Sequence, residues 1–568
     1  VQVCSFIKIP EKKVKNQKQA FSMFSIYINI LFQFWRGDRL MKRRTFKCLC
    51  TMCLAFVAAL TMGMSTASFA ATPDTGDVMK IYNVEKGATV TAYQIVKEDK
   101  GEWKPVNNNV KIKDPTHPTA NEITTINVND LTPITLTQGP DGVYSKAGAD
   151  AGMYLIEVYG TGATVYNPMI VSVDYDKAAD SVDAKSNFSN NAYAKSSTPE
   201  VKKINDKTGN TGVEAKPTTN KGTSVQMNGT ANFTIETSIP SYSAHYENPT
   251  FKVTDKMDSG LTPPEAKDVN VTVGGEAVPD GKCTVTKKAD GFEVAFDSAY
   301  ARSLASKTDN ERKVVIKYGA SVNDKATWNF VPNKNKATIT YSKNEAATDT
   351  KTDNSKVYTF GLDATLNGTA ATNNKKTHEI IKLNEDGKAQ KLGYTSEAGK
   401  EETVENALAG ATFTLYSDKS CADNTKVTET TTTDNGYMEM KGLKEGTYYL
   451  KETAAPKGYA PLSDVYTVKI SALYNDNGTL KSYTVNITDA AEKTYTSTYN
   501  ATYKDGDNLD QITVADNSET LFIKNNRMSG LPSTGGMGTY IFLIVGAAIM
   551  AFAAVAFVKN SKKANESK

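Results

Sequence analysis

Histidine and cysteine, the side chains that most often carry catalysis or hold metals, are scarce in this chain of 568 residues. Its three histidines (His117, His245, His378) lie far apart, so neither a His-rich metal centre nor a Cys-His or Ser-His catalytic site is expected. Of six cysteines, four (Cys4, Cys48, Cys50, Cys53) crowd the N-terminal region. Cys283 and Cys421 fall in different expected domains, so no disulfide is predicted. No nucleophile–base pair stands in a recognisable motif, and the reading is of a chain that is not an enzyme and carries no cofactor or metal. The most informative constellation is at the C-terminal end. Leu531-Pro532-Ser533-Thr534-Gly535 is followed by nineteen apolar residues, Tyr540 to Val558, and then by Lys559, Lys562 and Lys563. A helix of that length rises about 28 Å, nearly the thickness of a bilayer core, and the lysines would hold its end in the cytoplasm.

In that order the three features resemble the LPXTG cell-wall sorting signal of Gram-positive bacteria. The resemblance implies that a sortase attacks the carbonyl of Thr534 and releases Gly535 onward, so Thr534 is an acyl donor rather than a catalyst. The opposite end agrees. Lys42, Arg43 and Arg44 precede an apolar run from Cys48 to Met64 and small residues ending at Ala70, the pattern of a secretory signal peptide cut between Ala70 and Ala71. Met41 reads as the true start, which makes residues 1–40, with their Arg36-Gly37-Asp38 triplet, over-extended translation.

Between these ends the chain must build the elements that position any chemistry. Its net charge of +3 is spread along it, which gives no basic field for nucleic acid. Alternating ladders such as Thr447-Tyr-Tyr-Leu-Lys, Tyr466-Thr-Val-Lys-Ile and Ala337-Thr-Ile-Thr-Tyr recur between Gly, Asn, Asp and Pro turns. They predict an all-β chain of tandem Ig-like sandwiches. Joins at Ser196–Pro199 and Leu366–Thr377 place domains at 71–195, 196–368 and 369–530, followed by the sorting segment at 531–568.

The last domain resembles a CnaB-type domain. It carries Ile380-Ile-Lys-Leu-Asn-Glu-Asp-Gly, Leu408-Ala-Gly-Ala-Thr-Phe-Thr-Leu-Tyr, the pilin E-box Tyr449-Leu-Lys-Glu-Thr-Ala-Ala-Pro-Lys-Gly-Tyr459, and Leu521-Phe-Ile-Lys-Asn525. The resemblance implies an intramolecular isopeptide bond between Lys382 and Asn525 with Glu452 as assisting acid; Asn526 competes with Asn525. Burial favours a free amine on Lys382, and a neutral Glu452 acid would hydrogen-bond and polarise the carboxamide. The middle domain resembles the second domain of fimbrial backbone subunits through Pro199-Glu-Val-Lys-Lys-Ile204, Phe251-Lys-Val-Thr-Asp-Lys-Met257 and Thr340-Tyr-Ser-Lys-Asn-Glu345. That implies Lys203 as amine (Lys202 its rival), Asp255 as acid and Asn344 as amide. Lys343 and Glu345 depart there from the family's Tyr-Ser-Asn-Asn-Pro.

Through Gly152-Met-Tyr-Leu-Ile-Glu-Val and Val165-Tyr-Asn-Pro-Met-Ile-Val-Ser-Val the first domain resembles the N-terminal domain of the same subunits. Its closing Asn191-Ala-Tyr-Ala-Lys-Ser196 stands where those carry a pilin motif, implying Lys195 as the amine that accepts Thr534 of another copy, with Lys185 as the alternative. The family reading is therefore a sortase-assembled backbone pilin. It would be secreted, held transiently by its C-terminal helix and anchored to peptidoglycan, and joined head-to-tail to copies of itself. Its partners would be sortase, peptidoglycan, tip and basal pilins, and a host surface ligand. The competing reading is a monomeric wall-anchored adhesin that binds a host or matrix ligand.

Overall fold

Alternation of apolar and polar residues makes strands, and strands buried on one face must pair into layers. In the computed structural model, which describes residues 78–173, 189–205, 220–364, 366, 378–388, 404–528 and 537–565, they do so three times. In the first region, Val78–Tyr82 lies between Tyr144–Ala147 and, in parallel, Asn191–Tyr193. Facing it is a five-stranded sheet that includes Thr89–Asp99, Gly152–Tyr159 and Met169–Val173. The middle region is a sandwich of two six-stranded sheets. One contains Lys202–Asn205, Thr230–Ser238 and Lys313–Val322. The other contains Phe251–Met257, Asn333–Ser342 and Thr348–Tyr358. In the last region a seven-stranded sheet packs over two strand pairs. One joins Ile380–Asn384 in parallel with Leu521–Asn525, and the other joins Phe360–Leu362 with Met440–Leu443.

The expected boundaries shift in two places. Ser196–Ser197 still pairs with Val165–Tyr166 of the first region. The strand Thr348–Tyr358 runs on past Thr359 into Phe360–Leu362, so Tyr358, Phe360, Leu362 and Leu366 belong to the core of the last sandwich, not the middle one. The polar Thr/Asn-rich join marks where the hydrophobic pattern stops, and that point comes after the chain has already crossed over.

The regions are locked to each other by polar contacts. Lys356, 1% exposed, donates to Asn477 O at 2.7 Å and lies 3.0 Å from Asp507 Oδ1. Tyr358 Oη donates to Gly478 O and accepts from Leu480 N. At the other junction, Tyr341 Oη donates to Ala163 O at 2.8 Å. There Glu157, 4% exposed, accepts from Ser243 Oγ and Tyr159 Oη. His245 lies 3.5 Å from Glu157 Oε2 and 3.3 Å from Glu345 Oε2.

Beyond the sandwiches, the helix Met537–Asn565 contains an exposed apolar span, Tyr540–Ser561, with mean hydropathy 2.8. This is the segment expected to cross a membrane. The signal-peptide residues, Ala70 and Ala71, and Leu531 to Gly535 lie outside the described residues. Cys283 and Cys421 are both free thiols, one in each of two sandwiches.

The Glu157 cluster has a pH signature. Burial, opposed by His245, pushes the Glu157 carboxyl from its ordinary 4.5 up to about 7. A group raised in this way stabilises the folded form below its unfolded pKa, and that contribution is lost as pH rises through about 7. The full effect is at most about 3 kcal/mol. Calorimetric melts between pH 5 and 8 are expected to show a midpoint that falls with pH, and Glu157→Gln, which keeps the shape without the charge, should flatten that slope.

Candidate functional site

In the last sandwich the site is built by period-two alternation on three strands. Ile380 and Lys382 share the inward face of one strand, and Leu521, Ile523 and Asn525 that of its parallel neighbour, where Lys382 pairs with Ile523. Across the core, Tyr448, Leu450 and Glu452 point in from Gly446–Ala454, and Glu452 pairs with Phe413 on the adjacent strand. Three polar side chains thus meet inside an apolar core. Lys382 and Asn525 are 0% exposed and Glu452 3%. Asn525 Nδ2 donates to Glu452 Oε1 at 2.8 Å and to Ala460 O at 2.7 Å. Lys382 Nζ lies 3.1 Å from Glu452 Oε2, out of line for a hydrogen bond, and 5.6 Å from the Phe413 ring centroid. Burial pushes the Lys382 ammonium below the usual lysine range against the pull of Glu452. The Lys382 strand is fixed from its edge: Lys382 N donates to Gly436 O. Gly436 has φ +73, and a Cβ there would meet Lys382 O at 2.3 Å, so the turn needs glycine. Asn526 is exposed on the outer face.

The middle sandwich holds a second cluster of the same kind. Lys203 is 0% exposed on its strand while Lys202 points outward. Lys203 Nζ donates to Asp255 Oδ2 of the opposite sheet and to Tyr318 Oη, and sits 5.2 Å from each of the Phe233 and Tyr318 ring centroids. Burial draws the Lys203 ammonium down to about 8 despite Asp255, and burial raises the Asp255 carboxyl despite Lys203. Both shifts favour the same exchange, a neutral amine beside a neutral acid.

The carboxamide at this site is not Asn344. That residue caps the hairpin after Asn333–Ser342, its Oδ1 accepting from Ala346 N at 3.0 Å and Ala347 N at 2.8 Å. Asn335 takes the place instead. It is 0% exposed, is paired with Met257 two residues along from Asp255, and its Nδ2 donates to Tyr318 Oη at 2.9 Å. The sequence carried a usable signal. Asn335 continues the inward phase of Ala337, Ile339 and Tyr341, and a polar residue in that phase must be satisfied inside the core. Reading the strand only from Ala337 hid it. Tyr318 carried no such signal, because a tyrosine in a strand is ordinary.

The two clusters share a pattern of unmet hydrogen bonds. One acid oxygen (Glu452 Oε2, Asp255 Oδ1) and the amide oxygen (Asn525 Oδ1, Asn335 Oδ1) are buried acceptors that receive no hydrogen bond among the described residues. Buried acceptors without a hydrogen bond cost free energy; in the middle cluster, where burial raises the Asp255 carboxyl, a proton on that acid would supply a donor. Chemically, each cluster can do one thing well: bring a neutral amine to a polarised carboxamide.

Lys195 is placed quite differently. It is exposed, but its backbone is pinned, with Asn167 N donating to Lys195 O at 2.8 Å and Ala194 N to Tyr82 O at 2.9 Å. Next to it Tyr193 stacks on Tyr82 at 4.9 Å. An exposed amine on a held backbone suits attack on an external acyl group. Lys185 lies outside the described residues. Among the described residues no group of three or more His, Cys, Asp or Glu is arranged to hold a metal.

A prealbumin-like fold domain, SpaA, matches residues 396–490, and the LPXTG cell wall anchor motif matches residues 523–565. The chain is 28% identical to the trypsin-resistant surface T6 protein of Streptococcus pyogenes, an alignment covering 90% of this chain and 99% of that one. Among solved structures it is similar to the T6 backbone pilin of S. pyogenes (22% identity, TM-score 0.45, 81% of this chain and 100% of that one). It is also similar to the major pilin SpaA of Corynebacterium diphtheriae (15%, TM-score 0.37, 79% and 100%).

The burial contrast predicts amine reactivity. Brief acetylation of the folded protein with an amine-selective ester should label Lys195 and leave Lys203 and Lys382 unmodified. Peptide mapping after quenching reads the outcome, and label on either buried lysine would contradict the packing described.

Proposed function

We propose that this homologue of Gram-positive backbone pilins is the repeating, wall-anchored shaft subunit of a covalent surface fibre. It is a structural protein, not an enzyme. The observation that carries the reading is the pair of buried amine–acid–carboxamide clusters in a chain that ends in a sorting signal. Sortase cuts after Thr534 of one copy, and the Lys195 amine of the next accepts the acyl group. Donor and acceptor are different surfaces, so the contact repeats without closing and a fibre grows. The last copy is passed to peptidoglycan. Tip and basal pilins would cap such a fibre.

Within each copy, Lys382 joins Asn525 and Lys203 joins Asn335. The Nζ–Cγ bond forms, the Cγ–Nδ2 bond breaks and ammonia leaves; the hydrogen that Nζ sheds ends on Nδ2, carried by Glu452 in the last sandwich and with Asp255 as the assisting acid beside the amine in the middle one. Packing holds the reactants in place, so folding provides the proximity. Each group reacts once, which makes this maturation. Closing a loop of more than a hundred residues in this way is worth about 4–5 kcal/mol by the entropy argument used for disulfides, and an amide cannot be reduced. The T6 relative is named for its resistance to trypsin; cross-links that hold a nicked chain shut would give this chain the same property.

Wall extracts from cells carrying Lys195→Ala should lose the high-mass ladder on denaturing gels. If wild-type extracts contain Thr534 bound solely to peptidoglycan, the chain is a monomeric adhesin instead. Intact mass separates the internal bonds: wild type should lack two ammonias, Glu452→Ala and Asn335→Ala should each regain one, and Asn344→Ala should match wild type.

A further inference from the structure

Forming an amide from an amine and a carboxamide requires two proton movements. The attacking nitrogen must shed a proton, and the departing nitrogen must gain one, because an amide anion does not leave. In the last sandwich a single acid meets both needs, since Glu452 presents Oε2 at 3.1 Å from Lys382 Nζ and Oε1 at 2.8 Å from Asn525 Nδ2. The middle sandwich is wired differently. Asp255 bonds the attacking Lys203 Nζ. Asn335 lies on the strand paired with that of Asp255, two residues out of register, and the hydrogen bond made by its Nδ2 goes to Tyr318 Oη at 2.9 Å. Lys203 Nζ donates to that same oxygen. One hydroxyl therefore touches both nitrogens that must exchange a proton. The ring is held for this task. It stacks on Phe233 at 5.4 Å, meets Phe292 edge-on at 4.7 Å, and is closed off from water.

We propose that Tyr318 is the proton-transfer residue of the middle cross-link, its hydroxyl taking the proton shed by Lys203 Nζ and returning its own to Asn335 Nδ2. This rests on the reading that Lys203 and Asn335 become joined. Atoms balance: Nζ loses one hydrogen, Nδ2 gains one and leaves as ammonia, and Tyr318 ends as it began. The hydroxyl must be protonated throughout, and burial together with the nearby Asp255 keeps it so.

The experiment is a time course of the full chain made by pulsed cell-free synthesis, with both internal bonds followed by peptide mapping and mass. Tyr318→Phe keeps the ring and removes the hydroxyl. It should slow the Lys203–Asn335 bond by about 100-fold, within the range of a general acid–base group, while the Lys382–Asn525 bond of the same molecules forms at the wild-type rate. Equal rates for the middle bond in wild type and Tyr318→Phe would overturn the proposal. Wild type forming no Lys203–Asn335 bond at all would overturn the reading beneath it, a distinguishable result. Folding is checked in an Asp255→Ala background, where neither version can react. Matching melting midpoints assign the slow rate to chemistry, and a large drop on adding Tyr318→Phe assigns it to packing and also defeats the proposal.

Discussion

A lysine ammonium with no exposed surface is the constraint on which the rest of this structure depends. Removing such a charge from water costs several kcal/mol, and a single carboxylate repays it incompletely. At Lys203 the compromise is visible: burial outweighs Asp255 and draws the amine down to about 8, while the acid is drawn up. At Lys382 the direction is the same with Glu452 as partner. A pair that is costly as ions and reactive when neutral has a way out if a carboxamide lies beside it, because forming an amide removes the charge permanently. The unmet acceptors on the acid and amide oxygens leave both clusters less well satisfied than the apolar cores around them.

Topology decides what a bond at each cluster would do mechanically. In the last sandwich the strands that carry Lys382 and Asn525, Ile380–Asn384 and the closing Leu521–Asn525, lie side by side and parallel. A pull on the two chain ends would otherwise shear their shared hydrogen bonds, and a covalent bridge between them would carry the load instead. In the middle sandwich Lys203 and Asn335 sit on opposite sheets, so the bridge would staple the layers through the core. The junctions continue the same logic without covalent bonds. Tyr358 and Phe360 pass the chain from one core straight into the next, and buried Lys356 locks onto Asp507. The hairpin whose Lys343 and Glu345 depart from the family pattern is used at the first junction, where Glu345 reaches His245 and Tyr246 Oη bonds Lys343 O.

The two clusters bring the same kinds of group together with different wiring. Glu452 has a longer side chain than Asp255 by one methylene, and it reaches both nitrogens directly. The shorter Asp255 bonds the amine, and a tyrosine hydroxyl bridges the amine to the carboxamide nitrogen.

Local chemistry was legible in the residues alone. The sorting signal is a linear string read by another protein, alternation gave the sandwiches, and Lys382, Glu452 and Asn525 sit in contiguous motifs, so their meeting follows once strand phase is known. Phase likewise separates Lys203 from Lys202 and Asn525 from Asn526, since neighbours on a strand face opposite ways. What the tertiary structure alone decided is which side chains from strands far apart in sequence meet across a core. Asn335 rather than Asn344 sits by Asp255 because of sheet register, and Tyr318 comes into reach through the pairing of a third strand. The chain also enters the last core by Tyr358, before the polar join that had marked the boundary. Register and the facing of two sheets are set by the sum of many weak packing contacts, and no short stretch of sequence carries that sum.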